Sequence, residues 1–495
     1  MKEYRNYING KWVPPKSGKY FENRNPANWD EIIGLFPLST KEEVDEAVKA
    51  ARKAFTHWSK VPAPKRGEIL RKAAELLLER KEEISRLLTR ENGKILKEAR
   101  GDTQEGIDTA FYAFGEGRRL FSYTTPSELP DKFCLTFRRP VGVFGIITPW
   151  NFPIALPSWK IFPALLAGNT IVFKPPTDAP ACAYELVKIL EEAGVPEGVV
   201  NLVFGGGSEV GEAILSHPDI DGIAFTGSSE VGARIAEIAG KTLKKISLEL
   251  GGKNAQIVMD DANLDLALEG AIWGAYATAG QRCTATSRII VHEKVYDEFL
   301  ERFVERAKKL KIGNGLDETV EMGPVINEAQ LKKIHQYVEI GKKEGKLICG
   351  GERLKGDEYD KGWFYKPTVF VDVPPNATIA QEEIFGPVVC FFKVKNIDEA
   401  IEVLNNTKYG LSSSIYTQDV NKAMKAIERI EAGITYINGP TIGAECHLPF
   451  GGVKNTGNGH REGGWTVYDI FTEIKTVYID YSGKLQKAQI DTWEK

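Results

Sequence analysis

The sequence predicts an α/β protein made of two α/β units and a small β element. From residue 141 onward, short apolar runs alternate with helical stretches, and the first four runs are residues 143–147, 170–173, 199–203 and 222–225. Such alternation is typical of a parallel sheet with helices on its faces. A second series begins after residue 251. Because ligands bind at the carboxyl ends of parallel strands, we expect the polar clusters that follow the first four runs to share one crevice.

Composition narrows the class of protein and the compartment. At 495 residues the chain predicts two or three domains, and a net charge of −4 gives no basic surface for nucleic acid. We therefore expect a small-molecule partner. The polar first residues lack the apolar core of an export signal, and prolines interrupt the most apolar region, so no membrane helix is predicted. Six sparse cysteines without a C-x-x-C pair favour a reducing cytoplasm and no metal site.

The rest of the chain follows the same two periodicities. Residues 5–40 predict short strands that cover a larger unit, and residues 41–122 have helical spacing. Alternation of apolar and polar residues predicts an exposed hairpin at 123–139 and a late strand at 471–481. In the second unit we expect a helix from about Leu264 to Ala279. The predicted domains are 1–122 with 141–250, then 251–465, and the strand segments 123–140 and 466–485.

Three residues could take part in catalysis. Cys283, in residues 280–284 (GQRCT), stands between small or flexible positions with no second cysteine near it, so it could be a nucleophile. Buried, inert cysteines are commoner. Glu249 precedes two glycines after an apolar run, where burial would raise its pKa toward that of a base, or it could simply close a strand. Asn151 could donate to an oxyanion or form an Asx turn.

Two further stretches indicate a dinucleotide. Residues 225–228 (FTGS) lie where a strand meets a helix, and glycine there lets backbone N–H groups approach a phosphate. The stretch matches neither G-x-G-x-x-G nor a P-loop, so a plain turn is the alternative. Lys174, at a strand end between Phe173 and Pro175, needs an anionic or hydroxylic partner, or else extends to solvent. Together they favour a dinucleotide as the ligand.

Six stretches in this order resemble the motif series of the aldehyde dehydrogenase superfamily. The resemblance covers nearly the whole chain, and its motifs are residues 149–153 (PWNFP), 225–228 (FTGS), 249–253 (ELGGK), 280–283 (GQRC), 383–387 (EIFGP) and 449–454 (PFGGVK). It implies an aldehyde dehydrogenase-like fold with a Rossmann-like cofactor domain, an α/β catalytic domain and β strands that join subunits as a homotetramer or homodimer.

The resemblance also implies a mechanism. Cys283 would attack the aldehyde, and the Asn151 amide would stabilise the oxyanion. Hydride would pass to a nicotinamide, Glu249 would activate the water that hydrolyses the thioester, and Glu462 matches a second carboxylate used for proton transfer. A non-catalytic nucleotide-binding protein and a cysteine hydrolase that needs no nicotinamide are the alternatives.

Cofactor contacts are carried over from the same motifs. Glu383 would hold the nicotinamide ribose, and Phe385 would pack beside it. The full set is Thr148, Pro149, Trp150, Lys174, Thr177, Gly211, Phe225, Gly227, Ser228, Val231, Leu250, Glu383 and Phe385. Many members that use NAD have a glutamate where this chain has Thr177. Because the carboxylate that would repel a 2′-phosphate is missing, we expect NADP to be favoured, with NAD as the alternative.

The loops at 443–449 and 457–464 resemble those of a subgroup that oxidises acidic semialdehydes, of which 2-oxoglutarate semialdehyde is the best candidate. Arg119, Arg282 and His447 are the residues that could contact such a substrate. Arg119 also resembles a residue of the non-phosphorylating glyceraldehyde-3-phosphate dehydrogenases, and a broad-specificity aldehyde dehydrogenase is a further alternative. Both arginines could instead form structural ion pairs.

Overall fold

The computed structural model describes residues 1–490, and its first large sheet has seven strands. The spatial order is β11-β10-β7-β8-β9-β1-β2. Strands β7 to β11 are parallel, whereas β1 and β2 are antiparallel additions at one edge. The bounds are β1 Asn6–Ile8, β2 Lys11–Val13, β7 Val143–Ile147, β8 Thr170–Lys174, β9 Val200–Leu202, β10 Gly222–Thr226 and β11 Lys245–Glu249. The N-terminal strands thus extend the sheet, and only β3 (Tyr20–Asn25) and β4 (Asn28–Pro37) form a separate ribbon.

Eight helices accompany this sheet. Thr40 begins the first with a capping box in which Glu43 bonds back, worth about 1 kcal/mol. Its buried face carries Val44, Ala47, Val48 and Ala51, at the spacing seen in the sequence. The bounds are α1 Lys41–Trp58, α2 Ala63–Glu79, α3 Lys81–Asn92, α4 Leu96–Glu116, α5 Ala155–Ala167, α6 Pro180–Ala193, α7 Glu212–Ser216 and α8 Ser229–Thr242.

The second large sheet also has seven strands, in the order β14-β15-β16-β13-β12-β18-β19, and only β14 runs antiparallel. Its strands are β12 Asn254–Val258, β13 Thr286–His292, β14 Lys346–Cys349, β15 Thr368–Val371, β16 Val388–Val394, β18 Ser412–Tyr416 and β19 Ile434–Ile437. Its helices are α9 Leu264–Tyr276, α10 Glu293–Lys308, α11 Glu328–Glu344, α12 Thr378–Gln381, α13 Ile397–Asn405 and α14 Val420–Arg429. The predicted α/β class is confirmed.

A three-stranded sheet joins the two segments that alternation marked as strands. The bounds are β5 Thr124–Pro126, β6 Lys132–Pro140 and β21 Thr472–Asp480, and β6 lies in the middle. The long antiparallel register runs from Thr472 opposite Pro140 to Asp480 opposite Lys132. A short helix, α15 (Tyr468–Phe471), leads into β21, and β17 (Tyr409–Gly410) pairs with β20 (Val453–Lys454).

Helix α9 ends earlier than its sequence pattern predicts. The expected helix ran to Ala279, but α9 ends at Tyr276, and Thr278 and Ala279 both have φ of 53°. Gly280 follows with φ of 69°, and a Cβ there would lie 2.2 Å from the Gly386 carbonyl oxygen. These left-handed residues turn the chain sharply, so the segment with Cys283 leaves the axis of α9.

Among residues 1–490, no helix combines the length and apolarity needed to cross a bilayer.

Candidate active site

Cys283 lies in the loop between α9 and β13, against an apolar pocket. Its carbonyl oxygen accepts a hydrogen bond of 2.7 Å from Asn254 Nδ2. A Cβ at Gly252 would lie 2.5 Å from the same oxygen, so glycine is needed there. The side chain of Cys283 is partly buried with Phe152 against a cluster formed by Leu156, Trp159, Leu411 and Phe450. These apolar side chains next to the sulfur, here called the Cys283 pocket, suit the carbon chain of a small substrate.

Asn151 is buried beside the cysteine loop. Its Nδ2 donates to the Gln281 carbonyl oxygen at 3.1 Å, two residues before Cys283. An amide has two N–H groups, so one remains for a further acceptor. The structure thus brings the predicted oxyanion donor to the predicted nucleophile.

Two buried carboxylates and one buried lysine lie together at the end of β11. Lys160 Nζ contacts Glu462 Oε1 and donates to Thr226 Oγ1 at 2.6 Å. One oxygen of Glu249 and one of Glu462 have no hydrogen-bond partner among the described residues. Burial, then the charge of Glu462, holds the pKa of Glu249 well above its usual range, against the effect of Lys160. Glu249 can therefore keep a proton at a pH where an exposed glutamate is ionised.

A glycine gives the Glu249 carboxyl its space. Gly451 has φ of 148°, and a Cβ there would lie 2.6 Å from Glu249 Oε1. Any larger side chain would occupy the room next to this carboxyl group.

Burial raises the pKa of the Cys283 thiol to about 12, and the charges of Glu383, Glu249 and Glu462 act in the same direction. The thiol is therefore protonated at neutral pH. Nucleophilic attack requires loss of that proton, so the attacking species is the thiolate.

Several residues predicted to bind the cofactor lie at or just after the carboxyl ends of strands in the first sheet. Lys174 is buried, donates to its neighbour Pro175 at 2.8 Å, and has its pKa lowered to about 8 by burial. A Cβ at Gly211 would lie 3.9 Å from Lys174 Cδ, which places Gly211 beside the lysine. Ser228 caps α8 by accepting from Val231 N, and Leu250 packs on Gly232 of the same helix.

The opposite side of the crevice comes from the second unit. Glu383 Oε1 accepts a 2.9 Å hydrogen bond from Gly252 N. The rings of Trp150 and Phe385 meet edge to face with centroids 5.5 Å apart. Thr148 Oγ1 is buried without a partner among residues 1–490. An unpaired hydroxyl, a buried ammonium and a carboxylate are groups that suit the phosphates and ribose hydroxyls of a dinucleotide.

The remaining predicted cofactor residues lie in the same strand ends and loops. Phe225 covers Gly227, where a Cβ would lie 2.4 Å from the phenyl ring, and Pro149 precedes Trp150. Thr177 is partly buried in the loop between β8 and α6. Next to it, Asp178 is held by Asn327 Nδ2 at 2.8 Å. This carboxylate is therefore directed toward α11 by its hydrogen bond.

The three predicted substrate contacts have different positions. The Arg282 guanidinium pairs with Glu98 at 3.3 Å and lies 5.1 Å from the ring centroid of Phe152, a residue of the Cys283 pocket. The Arg119 side chain is 66% exposed and pairs with Glu116. His447 is also mostly exposed and lies 3.6 Å from Glu445. Arg282 is thus the one of the three that contacts a residue of the pocket.

Sequence reasoning missed Lys160 as part of the site, although a signal was present. Every residue of α5 is buried, and Lys160 is its only charged residue. A single charge in a fully buried helix requires a buried partner, which here is Glu462.

Comparison with known proteins gives one consistent result. The model of the family described as "Aldehyde dehydrogenase family" matches residues 12–477. The "Alpha-ketoglutaric semialdehyde dehydrogenase" of Bacillus subtilis (strain 168) is 44% identical over 96% of this chain and 98% of its own length. "Aldehyde dehydrogenase 1A1" of Rattus norvegicus is also 44% identical, over 97% and 95%. A betaine aldehyde dehydrogenase of Staphylococcus aureus solved with NAD+ superposes with a TM-score of 0.94, at 36% identity over 99% and 97% of the chains.

Proposed function

Because this chain belongs to the aldehyde dehydrogenase family and is an aldehyde-oxidising oxidoreductase, we propose that its substrate is an acidic semialdehyde, with 2-oxoglutarate semialdehyde the best candidate. The supporting relative is 44% identical along nearly the whole chain and carries that substrate in its name. The position of Arg282 also supports this substrate class, because its guanidinium contacts the Phe152 ring of the pocket.

The proposed chemistry uses the three groups gathered at the cysteine loop. The Cys283 sulfur attacks the carbonyl carbon, and the Asn151 amide with the Cys283 backbone N–H binds the oxyanion. A nicotinamide dinucleotide, when bound, supplies the hydride acceptor. Glu249 then takes a proton from the water that hydrolyses the thioester, and Glu462, paired with Lys160, passes protons onward. The observation that carries this proposal is the bond from Asn151 Nδ2 to the cysteine loop.

We propose that NADP is the favoured cofactor and that NAD is the alternative. Lys174 would face the adenosine side of the dinucleotide, with Thr177 on the adjoining loop and Asp178 held by Asn327. A carboxylate at position 177 would repel a 2′-phosphate, whereas a hydroxyl would accept it.

In Thr177→Glu, the ratio of kcat/KM for NADP to kcat/KM for NAD is expected to fall by about tenfold or more, which corresponds to roughly 1.4 kcal/mol. Steady-state kinetics with both cofactors measures this ratio. Thr177→Gln is the matched control of similar size without charge and should change the ratio less. An unchanged ratio in Thr177→Glu would contradict the NADP proposal.

Arg282→Gln should raise KM for an acidic semialdehyde about 10- to 100-fold, because a charge-assisted hydrogen bond to a carboxylate is lost. Turnover of a neutral aliphatic aldehyde should change little. Arg119→Gln removes the same charge from an exposed position and should leave both substrates unaffected. A larger effect of Arg119→Gln would favour the phosphorylated-aldehyde alternative.

A substrate panel separates the remaining alternatives. Comparing an acidic semialdehyde, glyceraldehyde 3-phosphate and a neutral aliphatic aldehyde with the wild-type enzyme gives kcat/KM for each. Preference for the first supports the proposal. Preference for the neutral aldehyde supports a broad-specificity enzyme.

We also propose that copies of this chain associate as dimers or tetramers through strand edges. Within residues 1–490, β21 and β19 are both outer strands of their sheets, so each has one edge that no other described strand pairs with. The three-stranded sheet exposes Ile474, Tyr478 and Phe133, at 55%, 66% and 46%. An open edge beside exposed apolar side chains is a site for a second copy to pair.

Light scattering after gel filtration should therefore give a mass of two or four chains for the wild-type protein. Ile474→Lys places a charge on the apolar face and should shift the population toward monomer. Leu78→Lys, at an equally exposed apolar position of α2, is the control and should not. A monomeric wild-type protein would refute the assembly.

A further inference from the structure

We infer that Asn92, Lys94 and Asp102 are positioning residues for Asn151. They set the rate of oxidation by fixing the backbone of residues 148–154, the loop that carries Asn151. This inference rests on the proposed role of Asn151. None of the three belongs to the motifs that carry the family resemblance.

Asn92 and Lys94 lie at the end of α3 and just after it. Asn92 Nδ2 donates to the Trp150 carbonyl oxygen at 2.8 Å, and Lys94 Nζ donates to the Asn151 carbonyl oxygen at 2.7 Å. Gly93, between them, has φ of 90°, and a Cβ there would lie 2.8 Å from Pro324. The left-handed glycine turns the chain so that both side chains reach consecutive carbonyls of one loop.

Asp102 of α4 completes the arrangement. Its Oδ2 accepts from Lys94 at 2.9 Å with both side chains fully buried, and its Oδ1 accepts from Ala155 N at 2.7 Å. Ala155 is the first residue of α5, so one buried ion pair holds both the Asn151 carbonyl and the backbone at the start of the helix that follows. The Lys94 ammonium also lies 3.8 Å from the ring centroid of Phe152.

This anchoring matters because residues 148–154, between β7 and α5, belong to no helix or strand. A donor stabilises an oxyanion only within about 2.7–3.1 Å of it. A shift of the donor by about 1 Å can lower the reaction rate on the order of 100-fold. A purely structural ion pair would need no hydrogen bond to the Asn151 carbonyl. Here Lys94 uses one of its N–H groups to donate to that carbonyl.

The test is a double-mutant cycle between Lys94→Gln and Asn151→Ala, read as kcat. Asn151→Ala alone should lower kcat about 10²- to 10³-fold, and Lys94→Gln alone about 10- to 100-fold. In the Asn151→Ala background, Lys94→Gln should add less than about twofold, because the group it positions is already gone. KM for the cofactor should be unchanged in Lys94→Gln.

Lys244→Gln is the matched control. Lys244 is likewise buried and donates to two backbone carbonyls, those of His217 and Ile220, away from the pocket. It should leave kcat unchanged. If Lys94→Gln does not fold, Asn92→Ala replaces it in the same cycle, since Asn92 holds the neighbouring carbonyl.

The outcomes separate the two proposals. Additive effects of Lys94→Gln and Asn151→Ala overturn the positioning role and leave the proposed function standing. Unchanged kcat in Asn151→Ala overturns the oxyanion role and, with it, the positioning inference.

Discussion

Replacing Cys283 with alanine is expected to lower kcat by at least about 10⁴-fold, because removal of a covalent nucleophile costs on the order of 10⁴ to 10⁶ in rate. Among the described residues of this pocket, the Cys283 sulfur is the group proposed to form the thioester, and the hydrogen bond to the Cys283 carbonyl oxygen does not involve the sulfur. Fluorescence titration should show that cofactor binding is retained. Stopped-flow absorbance should show no burst of reduced nicotinamide.

Cys446 provides the control for this substitution. Like Cys283 it is a partly buried free thiol, and burial raises its pKa to about 12 as well. Cys446→Ala should keep most of the activity. A Cys283→Ala enzyme with near wild-type turnover would refute covalent catalysis and leave a direct hydride transfer or another nucleophile as the explanation.

Glu249→Gln should separate the two halves of the reaction. Without the base, the thioester accumulates, so one equivalent of reduced cofactor forms rapidly and steady-state turnover falls about 10²- to 10⁴-fold. Rapid mixing with excess aldehyde measures both phases. Glu445→Gln, at an exposed carboxylate, is the control. Equal loss of burst and turnover would show that Glu249 acts before the thioester forms.

The same residue gives a pH dependence with a definite sign. Only the ionised carboxylate can accept a proton from water, and the pKa of Glu249 is raised well above its usual range. Wild-type turnover should therefore rise with pH through that raised pKa, at higher pH than an ordinary glutamate would give. In Glu249→Gln this rise should be absent from the steady-state rate.

Local periodicity predicted most elements of the two large sheets because each strand end and helix face has its own signal. It did not predict that β1 and β2 join the first sheet, since the pairing of β1 with β9 that brings both strands there depends on contacts about 200 residues apart. The end of α9 at Tyr276 was also missed. Thr278 and Ala279 adopt positive φ values that their residue types do not favour, so only the tertiary packing selects them.

The candidate site divides in the same way. Cys283, Asn151 and Glu249 could be singled out because each stands in a short stretch with its own chemistry. Lys160 and Lys94 were not singled out. Lys160 is a lone charge in an apolar stretch, which was a signal, but the partner of each lysine is fixed only by folding. Glu462 and Asp102 reach those lysines only after folding, and the first pair spans 302 positions.

The pairing of β6 with β21 has a consequence for biosynthesis. Residues 132–140 leave the ribosome before their partner strand, residues 472–480, has been synthesised. Until that partner emerges, the nascent chain displays a nine-residue strand, Lys132–Pro140, that lacks its main neighbour. During this interval the unpaired backbone of the strand is open to misassociation, which ends when β21 pairs with it.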